Sequence, residues 1–583
     1  MSVLFNNIYS PWSSLLKFYI DNLGTVRLRT SGDLDFSGAI DVDNNALKNA
    51  YQSSGFEHVY FPDLETVSGS YAMSNFISGD TNLTSISFPK LETITGSYAM
   101  EYLCDGDSYL TSIDFSSLTS VGSYSLQYAF RNCTSLTSAD FSNLTSIGQY
   151  GMQYAFYNCT NLTDVDLSNL STIPNYALSY SFYGCSRLSD LDLSSVTSIS
   201  NYGMQYAFYG DTGLTEVDFS SLTSLGNYGL KASFNGCTNL TDIDFSSLTS
   251  IPNCGMQIAF QNSGLSGKVE FPELVHVGKE GLGSGFSGCT HITEISFPEL
   301  VDGGSNTSEN GALYSLCSGC TSLQSISFPE LVHVYKDCLM RGFLNCTSLT
   351  EAEFPKIESI SYESTMAEIF KGCTSLEEIS MPNLKTVSGT TPMSSFAYGC
   401  TSLKSIEFPE LTSISGSRAM SSAFYNCTNL ETVSFPKLTS ISGYYVCDNL
   451  FNGCSNISSI SFPELISISG ERALAGGFNS ASNNTKLKTV SFPKLKTISG
   501  TMVISYLFKN KTALETVYFP SLEGTIPTDI FGNASNNSYA FLNTPALTEI
   551  HFPAAMQSAI EATTGYSTVW GHGADSTIVR FDL

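Results

Sequence analysis

Residues 399–414 decide the fold, and they read Gly-Cys-Thr-Ser-Leu-Lys-Ser-Ile-Glu-Phe-Pro-Glu-Leu-Thr-Ser-Ile. The spacing of Leu403, Ile406 and Phe408 is typical of a short strand that opens one coil of a repeat. Alternation with a period of two turns Ile406 and Phe408 toward a core and leaves Glu407 outside. The next two apolar residues supply a second inward pair.

The same pattern recurs along nearly the whole chain of 583 residues. Nineteen segments related to Phe-Pro-x-Leu or Phe-Ser-x-Leu follow one another at intervals of 26 or 27 residues, except for three intervals of 31, 30 and 33. They begin at Phe61, Phe88, Phe115, Phe141, Leu167, Leu193, Phe219, Phe245, Phe271, Phe297, Phe328, Phe354, Met381, Phe408, Phe435, Phe462, Phe492, Phe519 and Phe552. One coil cannot bury its apolar side alone, so the repeat predicts a stack of coils around a continuous core.

Each coil continues after its second inward pair into a stretch such as residues 150–156, Tyr-Gly-Met-Gln-Tyr-Ala-Phe. Met152 and Phe156 stand four residues apart, which predicts a short helix with both side chains toward the core. We therefore expect an α/β solenoid of short strands and short helices, with about 18 repeats of 26–27 residues.

The run Asn/Gly-Cys-Thr-Ser-Leu-x-x-Ile-x-Phe-Pro-x-Leu-x-x-Ile resembles the BspA-like, or Treponema-type, family of leucine-rich repeats. The resemblance extends over residues 55–555 or so and implies a right-handed leucine-rich-repeat coil stack. It also implies a function, because members of the family are mostly surface adhesins that bind host matrix proteins, other cells or glycans.

The two ends of the chain depart from the repeat. Residues 1–55 carry no repeat and are predicted to be either a cap on the first coil or an attachment segment for a larger assembly. Residues 56–552 form the solenoid, and residues 553–583 are predicted to be a C-terminal cap with a helix near 555–562 and a final strand near 577–581.

Composition narrows the class of partner. The net charge is −27, from 53 acidic and 26 basic residues, so nucleic acids and anionic membranes are disfavoured as partners. No run of eighteen apolar residues occurs, which predicts no membrane insertion. A cell-surface protein or glycan is the expected partner.

Eleven of the sixteen cysteines occupy one column, eight residues before the segments named above. They are Cys133, Cys159, Cys185, Cys237, Cys289, Cys320, Cys346, Cys373, Cys400, Cys427 and Cys454. Other coils place Asp80, Asp107, Asp211, Ser263, Asn484 or Lys511 there, which indicates a site that tolerates small polar or half-buried groups. A ladder of unpaired structural thiols is expected, with disulfides between successive coils as the alternative.

An acidic ladder follows the outward strand positions. It contains Asp140, Asp166, Asp192, Asp218 and Asp244 at 26-residue spacing. Carboxylates about 5 Å apart repel by about 0.8 kcal/mol per pair even in water. The ladder is therefore either a solvated face that keeps the sheet soluble or a strip that binds a basic ligand or a cation such as Ca²⁺. No other cofactor is expected.

Tyrosines form parallel columns in the same part of the chain. The column chosen as a binding candidate contains Tyr150, Tyr176, Tyr202 and Tyr228. Two further columns run through Tyr128, Tyr154, Tyr180 and Tyr206, and through Tyr157, Tyr183 and Tyr209. Such rows either pack between coils or present amphipathic rings to sugars or proteins.

The patterns favour a binding protein over an enzyme. No G-x-S-x-G elbow, P-loop or H-E-x-x-H motif occurs, so a carbohydrate-active enzyme on this scaffold is the least favoured hypothesis. The amino terminus has no basic region followed by an apolar run, which favours a phage-virion host-recognition component such as a tail fibre, released by lysis. The alternative is a cellular BspA-like surface adhesin. Either protein works outside the cell, on a virion or cell surface.

Overall fold

The computed structural model describes residues 32–189, 191–304, 311–479, 484–533, 535, 537–573 and 576–583. It also describes the backbone of two antiparallel strands, Phe18–Ile20 and Val26–Leu28. The chain forms two compact units, Met1–Ser266 and Gly267–Leu583. Within each unit successive coils pair through short parallel strands, which confirms the predicted solenoid.

In the first unit most coils contribute strands to two parallel ladders. The first ladder contains Asp33–Asp35, His58–Tyr60, Ser85–Ser87, Ser112–Asp114, Ser138–Asp140, Asp164–Val165, Glu216–Asp218 and Asp242–Asp244. The second contains Thr66–Val67, Thr93–Ile94, Ser120–Val121, Ser146–Ile147, Thr172–Ile173, Ser198–Ile199, Ser224–Leu225 and Ser250–Ile251. Equivalent residues pair directly, as Asp140 does with Asp114, so each outward sequence column becomes a physical row.

The second unit repeats this arrangement. Its first ladder contains Ser266–Glu270, His291–Ser296, Ser325–Ser327, Glu351–Glu353, Glu378–Ser380, Ser405–Glu407, Thr432–Ser434, Ser459–Ser461, Thr489–Ser491, Thr516–Tyr518, Glu549–His551 and Val579–Arg580. Its second ladder contains His276–Val277, Asp302–Gly303, His333–Val334, Ser359–Ile360, Thr386–Val387, Ser413–Ser415, Ser440–Ser442, Ser467–Ser469 and Thr497–Ser499. The described part of the chain has about 20 coils, slightly more than the 18 expected.

The stretch predicted as a short helix in every coil is instead a third ladder, which we call the turn ladder. Tyr150 and Tyr154 have φ values of 58° and 56°, in the left-handed region. Their N–H groups bond to carbonyls of the next coil, at 3.1 Å in both cases. The residue after an outward tyrosine does not, since the Gly151 N–H bonds back to the Gly148 carbonyl at 2.9 Å. Half of the backbone donors therefore join coils, which an α-helix cannot do.

The helix prediction failed because the turn ladder has a period of four residues, close to that of a helix. Met152 and Phe156 point into the core, as expected, while Tyr150 and Tyr154 lie half-exposed on the outer face. The spacing of the inward residues is thus the same in the turn ladder as in a helix. The distinguishing signal is a residue with positive φ every fourth position, which is uncommon outside glycine and not visible in apolar spacing.

Inward residues of the three ladders form a continuous apolar core within each unit. Phenylalanines of successive coils stack on one another, with ring centroids 5.5 Å apart for Phe219 and Phe245 and 5.4 Å for Phe234 and Phe260. Packing of aromatic rings in offset stacks adds to the burial of their area. The core is therefore built by neighbours in space that lie one repeat apart in sequence.

The ends of the chain extend the ladders. The strand Asp33–Asp35, which lies in the segment predicted as a cap or attachment segment, pairs in parallel with His58–Tyr60. Residues 1–17 of that segment lie outside the described part. Its role stays a prediction, as does the boundary at 553.

The C-terminal segment contains the α-helix Gln557–Glu561, the 3₁₀-helices Ala554–Met556, Tyr566–Thr568 and Ser576–Ile578, and the strand Val579–Arg580, which pairs with Glu549–His551. The buried Trp570 packs on Phe531 there, with ring centroids 4.1 Å apart. In the described part of the chain, no helix has the length and apolar character needed to cross a bilayer.

The cysteine column is a ladder of buried thiols without disulfides. All sixteen cysteines are buried, and none of them forms a disulfide. Column thiols donate to a carbonyl of the preceding coil, as Cys159 Sγ does to Phe130 and Cys185 Sγ does to Phe156, each at 3.1 Å. Burial raises the pKa of the Cys159 thiol well above its ordinary value. The expectation of structural thiols is confirmed, although the column is fully buried rather than half-buried.

Native thiols are therefore expected to be inert. The thiolate is the reactive form, and a buried thiol with a raised pKa rarely forms it. Incubation of the native chain with a thiol reagent such as DTNB at pH 8 should release almost no chromophore. The same chain in denaturant should titrate all sixteen thiols. A substantial fast-reacting fraction in the native chain would contradict the buried ladder.

Candidate ligand-binding groove

The predicted acidic ladder lies on the outer side of the first strand ladder in the first unit. Asp140 pairs directly with Asp114, and Asp218 pairs directly with Asp244. Four members are exposed, namely Asp140, Asp192, Asp218 and Asp244, and Asp166 is half-buried. The like-charged cross-strand pairs inferred from the sequence therefore exist, and they face solvent.

Each carboxylate of the ladder also closes a turn. Asp166 Oδ1 accepts the Ser168 N–H at 2.9 Å and the Ser168 hydroxyl at 2.6 Å, and Asp192 does the same with Ser194 at 2.9 and 2.6 Å. The other three members accept the N–H of the residue two positions later, at 3.0, 2.7 and 2.7 Å. This is an Asx turn, which directs the chain out of the strand. The ladder thus has a structural role in each of these five coils.

The geometry does not favour a Ca²⁺ site on the ladder. Calcium takes six to eight oxygen ligands that converge on one point. The ladder carboxylates instead follow one another along a row, one in each coil. Among the described residues, no group of three or more His, Cys, Asp or Glu side chains is arranged to hold a metal ion.

We expect Asp166→Asn combined with Asp192→Asn to stabilise the protein slightly at low salt. Asparagine keeps the oxygen that accepts the turn hydrogen bonds and removes two mutually repelling charges. The gain in free energy of unfolding should be below about 1 kcal/mol and should shrink at high salt. Urea unfolding at low and high ionic strength measures it. A loss of stability, or a large gain on adding Ca²⁺ to the unsubstituted chain, would contradict the structural reading.

The tyrosine column predicted to bind a ligand is a stack of rings. Tyr150, Tyr176, Tyr202 and Tyr228 follow one another with centroids 4.5, 4.5 and 4.6 Å apart and interplanar angles of 7° or less. All four are half-exposed. Since each ring covers the faces of its neighbours, the column offers ring edges and hydroxyls to solvent and not ring faces.

The other two tyrosine columns form the walls of an open groove of about 640 Å³, which we call the tyrosine groove. Its lining consists of Tyr128, Tyr154, Tyr180 and Tyr206 on one wall, Tyr157, Tyr183 and Tyr209 on the other, and Arg131. Paired rings of the two walls lie 5.7 to 6.1 Å apart, as for Tyr154 with Tyr157 and Tyr180 with Tyr183. The groove runs along four successive coils of the first unit.

Arg131 lies beside the first tyrosine of the groove. Its guanidinium donates two hydrogen bonds to Asp105, at 2.9 and 2.7 Å. It also lies 5.0 Å from the Tyr128 ring centroid and 5.5 Å from that of Tyr102. The hydrogen bonds to Asp105 raise the pKa of Arg131 further, so it remains charged and held in place. The groove therefore has a fixed cation that is already neutralised by a carboxylate.

Burial favours the neutral form of several phenols in the groove. Burial raises the pKa of Tyr180 to about 12, and it raises the pKa of Tyr154 and Tyr183 in the same direction. A neutral phenol both donates and accepts one hydrogen bond. The groove consequently presents two rows of hydroxyl groups above apolar ring edges.

Sequence reasoning found the three tyrosine columns but not the groove. The column of Tyr150 lies outside the groove lining. The missing information was the geometry of the turn ladder, in which Tyr154 and Tyr157 are both outward although they are three residues apart. In the turn ladder two inward residues alternate with two outward residues, so the columns of Tyr154 and Tyr157 lie side by side on the outer face. The spacing of a helix does not predict that these two columns are neighbours.

A family model described as BspA type Leucine rich repeat region matches six stretches of the chain. They are residues 45–179, 106–229, 152–280, 204–315, 314–422 and 390–563. Together they span nearly all of the coils. No curated protein matches the chain significantly.

Several solved structures of leucine-rich repeat proteins resemble parts of the chain. A leucine-rich repeat protein from Bacteroides ovatus is 17% identical with a TM-score of 0.34, over 87% of this chain and 93% of that one. A leucine rich cell surface protein from Faecalibacterium prausnitzii is 18% identical with a TM-score of 0.27, over 73% and 94%. A leucine-rich repeat protein from Eubacterium ventriosum is 15% identical with a TM-score of 0.26, over 74% and 87%. The family assignment rests on the family model and not on these structures.

Proposed function

The chain belongs to the BspA-type leucine-rich repeat family, and from that premise we propose that it is a receptor-binding protein that attaches to a surface protein or glycan. The observation that carries the proposal is the tyrosine groove of the first unit. Its volume of about 640 Å³ lies in the range of ligand sites, roughly 300–1,000 Å³. Tyrosine and arginine, which line it, are the residue types that dominate binding energy at protein interfaces.

We include the acidic ladder and the Tyr150 column in the proposed binding surface. Residues 1–266 contain 24 acidic and 8 basic residues, against 29 and 18 in residues 267–583. The second unit also pairs lysine with glutamate between coils, as Lys404 with Glu377 and Lys437 with Glu410, each at 2.6 Å. The first unit thus carries the stronger negative field, which steers a basic partner toward it.

We place the protein outside the cell, on one of two carriers. One is a phage particle, where the chain is a tail fibre or a similar host-recognition appendage joined to the virion through residues 1–55. The other is a cell surface, where it is an adhesin, and membership of the family supports this carrier. Immunogold labelling distinguishes the two carriers. The phage proposal predicts label on purified phage tails, and the adhesin proposal predicts label on the envelope of the producing cells.

We propose no catalytic step at the groove. A glycosidase ordinarily needs two carboxyl groups flanking the bond that is cleaved. The groove lining consists of phenols and one guanidinium, and the Asp105 carboxylate is engaged with that guanidinium. Release of sugar from host polysaccharides by the purified chain would contradict this part of the proposal.

Binding to intact host cells tests the proposed function. Fluorescently labelled full chain should bind in a saturable manner that unlabelled chain competes away. Tyr180→Ala with Tyr183→Ala should weaken binding severalfold, since it removes one rung of both walls. The matched control is Tyr444→Ala, which removes an exposed tyrosine of the second unit, 48% accessible. Circular dichroism verifies that each variant keeps its fold.

Two outcomes decide the test. Equal binding by the groove variant and the control would exclude the groove as the binding site, and absence of saturable binding would exclude the adhesion function. Binding that persists in EDTA and after Asp166→Asn with Asp192→Asn would assign the ladder no metal-dependent part in it.

A further inference from the structure

The way the tyrosines stack determines what the groove can offer a ligand. Tyr154 and Tyr180 stack with centroids 4.7 Å apart and an interplanar angle of 6°, and Tyr183 and Tyr209 stack at 4.9 Å and 2°. Ring faces inside both walls are therefore covered by neighbouring rings. A planar base or a sugar ring needs a free aromatic face to stack on. The groove is thus suited to a ligand that contacts ring edges and hydroxyl groups.

The spacing of the rungs favours one backbone conformation. Neighbouring rungs of the wall from Tyr128 to Tyr206 are 4.8, 4.7 and 4.8 Å apart. A polyproline II helix repeats every three residues, after about 9.3 Å, which is close to two rungs. An extended strand repeats after about 6.6–6.8 Å, which matches neither one rung nor two. A polyproline II segment can therefore present the same face to every second tyrosine pair.

Hydrogen bonding favours the same ligand. The backbone of a polyproline II helix makes no internal hydrogen bonds, so its carbonyls are free to accept. Proline has no N–H group, so a proline-rich segment offers mainly acceptors. The rows of phenols supply donors along both walls, because a phenol with its ordinary pKa of about 10 is protonated at neutral pH. Apolar ring edges between the hydroxyls suit the pyrrolidine rings.

Charge selects among proline-rich segments. Arg131 is neutralised by two hydrogen bonds to Asp105. The surrounding unit has three acidic residues for each basic one, 24 against 8. An acidic ligand is repelled by this field and a basic one is attracted.

We propose that the tyrosine groove binds a basic, proline-rich segment of the partner protein in the polyproline II conformation. The proposal rests on the proposed adhesion function and specifies its ligand. It resembles in chemistry the general use of aromatic-lined grooves for preformed polyproline II helices, which lose little conformational entropy on binding.

Synthetic peptides test the proposal on the full chain. The probe is a proline-rich peptide of about twelve residues with lysine at both ends, long enough to span the groove at about 3.1 Å per residue. Isothermal titration calorimetry should detect its binding. Replacing its prolines with alanine should weaken binding about tenfold, because the segment is then no longer ordered in advance. Replacing its lysines with glutamate should abolish binding at low salt.

Conservative variants locate the site. Tyr154→Phe with Tyr180→Phe keeps both rings and their stacking and removes two hydroxyls, so peptide binding should fall about fivefold or more. The matched control is Tyr398→Phe with Tyr425→Phe, the same change in a stacked tyrosine pair of the second unit, and it should bind the peptide like the unsubstituted chain. Binding of the alanine peptide as strong as that of the proline peptide, or equal loss in both variants, would overturn the proposal.

The outcomes separate this inference from the proposed function. If labelled chain binds host cells but the proline-rich peptide neither binds nor competes, the adhesion function stands and the inference fails. If a neutral linear oligosaccharide binds the groove and the peptide does not, the ligand is a glycan and the inference also fails. If the peptide binds but cells do not, the groove has the proposed specificity and the adhesion function is wrong.

Discussion

Asp211→Cys is expected to raise the free energy of unfolding by about 3 kcal/mol at pH 8, and to have little effect at pH 4. Asp211 occupies the buried cysteine column and is fully inaccessible to solvent. Its Oδ1 accepts the Gly213 N–H at 2.9 Å, while Oδ2 has no hydrogen-bond partner among the described residues. Burial raises the pKa of this carboxyl from 3.8 to about 8.

The direction of the pH dependence follows from this raised pKa. Between pH 3.8 and about 8 the folded state keeps a proton that the unfolded state has released. The contribution to stability is therefore complete at low pH and is lost as pH rises through about 8. Each unit of pKa shift corresponds to about 1.4 kcal/mol of unfolding free energy. The expected effect is smaller than the whole pKa shift implies, because the folded protein relaxes around the charged carboxylate and lets water reach it.

Cysteine fits this position because its neighbours in the column are cysteines. Cys185 and Cys237 donate their thiols to the carbonyls of Phe156 and Phe208, each at 3.1 Å. A thiol at position 211 is expected to donate in the same way and carries no charge at pH 8. Protonated Asp211 can supply a similar donor. The free energies of unfolding of the Asp211→Cys variant and of the unsubstituted chain should therefore be nearly equal at pH 4.

Asp80→Cys is the control in the same column, and it should destabilise. The Asp80 carboxylate accepts the Gly55 N–H at 2.6 Å, the Asn82 N–H at 2.8 Å and the Ser54 hydroxyl at 3.1 Å. Replacing it removes the acceptor of these part-buried donors and of the buried Phe56 N–H, and a buried donor left unsatisfied costs about 1–3 kcal/mol. Urea unfolding of the three chains from pH 4 to 9 measures both effects. Equal pH profiles for Asp211→Cys and the unsubstituted chain would contradict the buried, protonated carboxyl.

Gly443→Ala should destabilise the second unit by more than about 3 kcal/mol. Gly443 belongs to a row of glycines, one in each of several successive coils, at the point where the coil enters the turn ladder. Its φ of 135° disfavours any side chain. A Cβ there would overlap the carbonyl oxygen of Gly416 in the preceding coil. Because Gly416 in turn abuts Gly389, the coils cannot separate locally without breaking the strand pairing beside them.

Gly399→Ala separates backbone strain from overlap. Gly399 also has a positive φ, of 77°, but no described atom lies within 4 Å of the position of its Cβ. It should cost about 1 kcal/mol from its left-handed conformation alone. Thermal unfolding of both variants measures the difference. Similar losses in the two would show that the coils do not approach as closely at Gly443 as the structure places them.

Most of the fold could be predicted because one period of apolar residues repeats along the chain. The spacing of Leu403, Ile406 and Phe408 placed the strand of the coil, and the structure has Ser405–Glu407 there. The turn ladder could not be predicted in the same way. Its inward pairs recur every four residues, as in a helix, and the hydrogen bonds that distinguish it join residues a whole coil apart, as between Tyr150 and Asn175.

Of the candidate binding site, the sequence predicted only the columns of aspartates and tyrosines. Spacing located the rows of Asp166 and Tyr154, since coils stack in register. It could not show that Asp166 is engaged by Ser168, or that the rings of Tyr154 and Tyr157 contact each other and line one groove. Both depend on backbone directions after the strand and within the turn ladder. The same limit applies to Asp211, whose column looked half-buried because it mixes thiols, carboxylates and an amine.

Hydroxyl-radical footprinting of the full chain on host cells tests most directly the claim that the tyrosine groove is the binding surface. Oxidation of Tyr154, Tyr180 and Tyr183, read by mass spectrometry, should fall severalfold when the chain is bound. Tyr362 and Tyr444, which are exposed in the second unit, should be oxidised equally in the free and bound chain. Unchanged oxidation of the three groove tyrosines, with protection confined to other residues, would contradict the claim.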